Sequence, residues 1–135
     1  KFAACHRDPV ETCWSCYKQL FAPGVVNYAY DFDDLAAYWR DYDRQTRFWV
    51  ERYPSHVRAQ GYEALLDEPE AQTRALLDFC GLPFDESCLR FHEAKRGVRT
   101  VSSGQVRQPL RRDTARGPRY GELLAPLRAA LKAAG

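Results

Sequence analysis

The 135-residue chain has no methionine, and lysine supplies only four of its 20 basic residues (Lys1, Lys18, Lys95 and Lys132). A complete translation product begins with methionine, whereas this one opens on Lys1 in a stretch that reads as strand, so a fragment or processed piece is expected. No apolar run is long enough to span a membrane, and no secretory leader pattern is present. None of the eight glycines stands in a Gly-rich loop followed by Lys-Ser or Lys-Thr, so these residues include no phosphate-cradling loop of that kind. A net charge of +2 is too balanced to argue for a nucleic-acid or membrane-surface partner. The cysteines are odd in number, five, and fall mostly inside apparent helices and strands, which points to reduced thiols and a cytoplasmic setting. Cys13-x-x-Cys16 has the spacing of a redox or zinc half-site. It lies mid-helix, away from the helix start that favours a thiolate, and Cys80 and Cys88 form no second close pair. No metal is expected.

What is present suits a soluble globular piece of one domain: 45% apolar and 28% charged residues. The heavy use of arginine suits bidentate recognition of phosphate or sulfate. The most informative stretch is Cys5–Phe21, CHRDPVETCWSCYKQLF. A short apolar strand, Lys1–Arg7, runs into Asp8-Pro9, where Asp8 serves as N-cap and Pro9 as the first residue of a helix reaching Phe21. A strand turning directly into a helix is a common anion site, because the helix start offers unpaired N–H groups and a positive dipole end. Arg7 stands at that edge. Ser15 lies about two turns further on nearly the same face, roughly 10 Å along the axis. Together they could hold two sides of one phosphate. The spacing alone favours a plainer reading, in which Arg7 pairs with Asp8 or Glu11 and Ser15 has no ligand.

Further along, Ala22-Pro23-Gly24 breaks the chain, and Asp31 or Asp33 opens a long helix to about Arg52. Phe32, Leu35, Trp39, Tyr42, Thr46, Trp49 and Tyr53 recur at steps of three and four, a stripe expected to be mostly core. Asp41, Asp43, Arg44 and Arg47 lie off it, as a solvated face. His56–Tyr62 reads as a second strand, Glu63–Leu66 as one helical turn, and Glu68-Pro69-Glu70 as the start of a helix ended by Gly81-Leu82-Pro83. Asp85–His92 reads as a short helix, Glu93–Ser103 as irregular, and Tyr120–Ala134 as a Leu/Ala-rich helix. Strand–helix–helix–strand–helix is an α/β order with parallel strands. Two short strands are too few for a stable sheet of that type, so further strands are expected before Lys1.

Three ordered segments, HRDPVETCWSCYKQLF, GYEALLDEPEAQTRALLDFCGLPFD and RTVSSGQVRQPL, resemble the C-terminal half of sulfotransferases, nearest to bacterial tetratricopeptide-linked and tyrosylprotein sulfotransferases. The resemblance runs from about Lys1 to Leu131. It implies a P-loop-like, three-layer α/β fold, with residues 1–135 forming the C-terminal portion of a single sulfotransferase domain. It also implies 3'-phosphoadenosine 5'-phosphosulfate as donor and a hydroxyl acceptor, whether peptide tyrosine, sugar or small molecule. By resemblance, Arg7 and Ser15 bind the 3'-phosphate and Tyr62 contacts the nucleotide, although Gly61 and Ala64 replace the arginine and aspartate that accompany this tyrosine in the family. Ser102 matches the serine near the transferring sulfuryl group, a placement suited to stabilising developing charge. It precedes Gln105 and Arg107 of the Gln-Val-x-x-Pro motif. Arg116 or Arg119 stands near the family's basic nucleotide contact, without its tryptophan. The phosphosulfate loop and catalytic base belong to an N-terminal half absent from these residues, so the piece alone is expected to be inactive. Two other readings remain: a non-enzymatic helical interaction module, favoured by an exposed aromatic stripe, and another nucleotide-dependent transferase or kinase.

Overall fold

In the computed structural model, which describes residues 1–94, 107–110 and 117–133, two parallel strands are set among helices. The strand β1 (Phe2–His6) leads into α1 (Pro9–Tyr17), and after a 3-10 turn (Asn27–Tyr30) comes the long α2 (Phe32–Arg52). Then follow β2 (Val57–Gly61), α3 (Tyr62–Asp67) and α4 (Pro69–Cys80). Beyond them lie 3-10 segments at Glu86–Glu93 and Gly117–Leu124, and finally α5 (Ala125–Lys132). The α/β reading with two short parallel strands in a mostly helical chain holds.

Asp8 caps α1 as its sequence position predicts: Oδ1 accepts the Glu11 N–H at 2.8 Å, with Pro9 next in the first turn. The helix stops at Tyr17 rather than continuing to Phe21. Tyr30, from the next segment, takes the chain over. Its hydroxyl accepts the Phe21 N–H at 2.8 Å and donates to the Gln19 carbonyl at 3.4 Å. Of the two aspartates placed to open α2, Asp31 does so, accepting the Asp33 and Asp34 N–H groups at 2.8 and 3.1 Å. Gly81 ends α4 in the left-handed region (φ +73°), and Leu82 N–H bonds back to Leu77 O at 2.9 Å. Tyr120–Ala134 is not one helix. Gly121 (φ +48°, ψ −122°) interrupts it, leaving a 3-10 segment before α5.

The core lies where α1, α2 and α5 meet. Cys13 (1% exposed), Leu35 and Leu127 are buried there with Ala29, flanked by Val10, Trp14, Phe32 and Trp39. Arg40 of α2 reaches across to donate to the Ala130 carbonyl at 2.5 Å. The aromatic stripe of α2 therefore divides. Leu35 and Thr46 are buried and Trp39 half-buried, but Trp49 and Tyr53 remain 46% and 43% exposed. α5, eight residues against 21 in α2, covers the end that packs with α1, and the rest of the stripe faces β1 and β2 along an open groove. On the outer face, Arg44 pairs with Asp41 at 2.9 Å, both exposed as the pattern predicts, whereas Arg47 is exposed but the side chain of its partner Asp43 is only 15% exposed.

Burial pushes the Cys13 thiol up to about 12, with Cys16 and Asp8 adding to it, and burial raises Cys16 as well. Both stay protonated near neutrality. They pack as small apolar groups rather than acting as thiolates. Among the described residues no helix is long and apolar enough to cross a membrane.

Candidate functional site

The register of the sheet builds the site. Phe2 lies beside Val57 and His6 beside Gly61, so β1 and β2 end level with one another. The residues just past the two carboxyl ends, Arg7 and Tyr62, are thereby brought side by side, each at the mouth of a helix. The Arg7 guanidinium carbon lies 5.2 Å from the Tyr62 ring centre, a cation–π distance. In open α/β sheets this carboxyl edge is where ligands bind.

A second tie crosses the same edge. The Asp8 N–H donates to Glu63 Oε1 at 3.0 Å, joining the start of α1 to the first turn of α3. Glu11, one turn into α1, faces both ways. Its Oε2 stands 3.6 Å from the Arg7 guanidinium, and its Oε1 accepts the N–H of Gly117 at 2.6 Å. Arg128 of α5 donates to the Gly121 carbonyl at 2.8 Å and turns toward the same space. These groups, with Pro118 and Leu66, enclose a cavity of about 400 Å³. It carries two guanidinium groups and three carboxylates. Each carboxylate accepts a backbone N–H: Asp8 from Glu11, Glu63 from Asp8, and Glu11 from Gly117. The acids tie the walls together, and Arg7 and Arg128 line the cavity beside them.

Of the residues singled out in the sequence, Arg7 and Tyr62 come together here. Ser15 sits exposed on α1 and is not among the residues lining the cavity. Arg107 is exposed in a turn away from it, and Arg119 is also exposed. Ser102, Gln105 and Arg116 lie outside the described residues. The plainer pairing of Arg7 with Glu11 also occurs, in the same place as the Tyr62 contact. Glu11, Glu63, Gly117 and Arg128 are residues the sequence reading did not select. Glu63 carried a signal, as the acid in the first turn of a helix that starts at a strand end. Gly117 meets Glu11 across 106 residues, and Arg128 bonds Gly121 seven residues away, so neither one's place at the cavity shows in a local pattern.

Comparison with known proteins supplies the family of the chain. The sequence pattern of the family described as "Sulfotransferase family" matches residues 1–86, from β1 through α4 and so across both strand–helix junctions. The chain belongs to the sulfotransferase family. An uncharacterized protein of Aquifex aeolicus (strain VF5) is 31% identical over 124 residues, which is 90% of this chain. The chain spans only 16% of that relative's length. No solved structure matches. The sulfotransferase match takes in Arg7, Glu11, Ser15 and Tyr62, while Gly117 and Arg128, which close the cavity, lie beyond it.

Proposed function

We propose that this chain is the nucleotide-binding portion of a sulfotransferase that uses 3'-phosphoadenosine 5'-phosphosulfate. The observation that carries the reading is the convergence of Arg7 and Tyr62 on one cavity at the carboxyl ends of paired parallel strands. A guanidinium at the start of a capped helix is suited to the 3'-phosphate, and a tyrosine beside it offers a ring face to the nucleoside. Ser15, two turns along α1 and outside the cavity, is assigned to the same phosphate by the family resemblance alone. Ser102, with Gln105 and Arg107, serves the transferring sulfuryl group, and Arg116 supplies a further nucleotide contact. In the reaction an acceptor hydroxyl oxygen bonds to sulfur, the sulfur–oxygen bond to the 5'-phosphate breaks, and adenosine 3',5'-bisphosphate leaves. The hydroxyl proton passes to a base.

That base and the loop that grips the 5'-phosphosulfate come, in this reading, from sequence outside the 135 residues. The rest of the domain covers the exposed Phe2 (71%), Trp49 and Tyr53. The isolated piece is then inactive. No metal enters the scheme, and the acceptor is a peptide tyrosine, a sugar or a small alcohol or phenol. The test is calorimetric titration of the intact protein with adenosine 3',5'-bisphosphate and with ATP. The reading expects clear preference for the bisphosphate, and equal or better binding of ATP would instead favour a kinase-like transferase. Turnover of the donor by the isolated 135 residues would refute the claim that they are inactive alone.

A further inference from the structure

We propose that Glu11 is a positioning residue that builds one wall of the nucleotide cavity by docking the Gly117–Pro118 turn onto the β1–α1 junction. This rests on reading that cavity as a nucleotide site. The two oxygens of Glu11 make contacts of different quality. Oε1 lies 2.6 Å from the Gly117 nitrogen, a short charge-assisted hydrogen bond, whereas Oε2 lies 3.6 Å from Arg7, beyond hydrogen-bond range. The carboxylate is therefore anchored on the turn and leans on the arginine. Its side chain is only 11% exposed, so a competing water has little access.

Gly117 is shaped for this contact. It is buried, and a Cβ there would stand 2.6 Å from Glu11 Oε1 and 3.7 Å from Leu124 Cδ1. Any larger residue displaces the carboxylate. With Leu124 fully buried behind it, the turn is held from both sides, and Pro118 presents its ring to the cavity. Glu11 thus joins α1 to a segment 106 residues away while offering Arg7 a fixed negative neighbour. Removing the carboxylate leaves the buried Gly117 N–H without its acceptor and releases the wall.

The opposite role is also chemically coherent: a carboxylate that merely competes with a phosphate for Arg7. The two make opposite predictions. In the intact protein, Glu11→Ala is expected to weaken adenosine 3',5'-bisphosphate about ten-fold or more and to speed hydrogen exchange at the Gly117 amide. Glu11→Gln keeps an acceptor oxygen, so it restores exchange protection and brings affinity to within about three-fold of the parent. Gly117→Ala reproduces the Glu11→Ala loss, and the double variant is no worse than either single one, since both break one contact. Asp31→Ala, which removes the α2 cap away from the cavity, lowers Tm but leaves affinity unchanged, separating wall-building from general stability. Unchanged or tighter binding by Glu11→Ala, or unchanged exchange at Gly117, overturns the proposal while the cavity reading stands. A parent protein that binds no bisphosphate overturns the cavity reading and this inference with it.

Discussion

The two ends of the same small sheet carry hollows of similar size and opposite chemistry. At the carboxyl ends of β1 and β2 lies the cavity of about 400 Å³ with Arg7, Arg128 and three carboxylates. At the amino ends, Phe2, Val57, Trp49, Tyr53 and Thr46 line an apolar groove of about 480 Å³. Parallel strands have a direction, and here each runs into a helix N-terminus, so one end of the sheet gathers N–H donors and the charged groups that cap them. The other end is lined mostly by apolar and aromatic side chains, with Thr46 and His56 among them. The two hollows therefore differ little in volume and much in chemistry, and strand polarity is what sets them apart.

The comparison can be broken or sharpened in order of effect. The largest concerns Cys13 of α1, buried in the core with Leu35 and Leu127. Its thiol titrates at about 12 in the folded chain against an ordinary 9.0. A raised thiol stabilises the fold below the unfolded value, and that stability is lost as pH climbs through the folded value. Stability should thus fall between about pH 9 and pH 12 by up to about 1.4 kcal/mol per pH unit, and Cys13→Ala should flatten this slope in chemical denaturation series. Next, Arg7→Ala should cost about 1.5–3 kcal/mol of bisphosphate affinity by calorimetry, the loss of a charge-assisted contact. Unchanged affinity would remove Arg7 from the site. Tyr62→Ala should cost about 0.5–1 kcal/mol in the same titration, since it removes an aromatic face at a partly open position. The smallest effect belongs to the apolar groove. Trp49→Ala should leave bisphosphate affinity unchanged and shift stability by no more than about 0.5 kcal/mol in the 135-residue chain, as expected for an exposed side chain. A drop in nucleotide affinity there would show that the two ends are coupled through the sheet.

Much of the polar end was legible because its signals are local. Asp8-Pro9 announces a capped helix in two adjacent residues, and Asp31 and Gly81 do the same for the start of α2 and the end of α4. Helix ends set by distant residues were not legible. The stop at Tyr17 depends on Tyr30 capturing the backbone of residues 19–21, and the break at Gly121 depends on one left-handed glycine in a helix-favouring run. The stripe on α2 has one period along its whole length, yet Leu35 and Thr46 are buried while Trp49 and Tyr53 stay exposed. Periodicity reports which face is apolar, not what covers it.

By itself the sequence determined the order of strands and helices, the cap at Asp8, the α/β order that implies parallel strands, and the family resemblance through Arg7 and Tyr62. Those rest on neighbours within a turn or two, or on motifs that read as strings. Only the tertiary structure decided that His6 pairs with Gly61, so that Arg7 meets Tyr62 and Ser15 stays apart from the cavity. It alone placed Gly117 against Glu11 and Arg128 at the cavity wall. Contacts across 106 residues arise from packing α5 and its preceding turn against α1, and no local pattern encodes that closure.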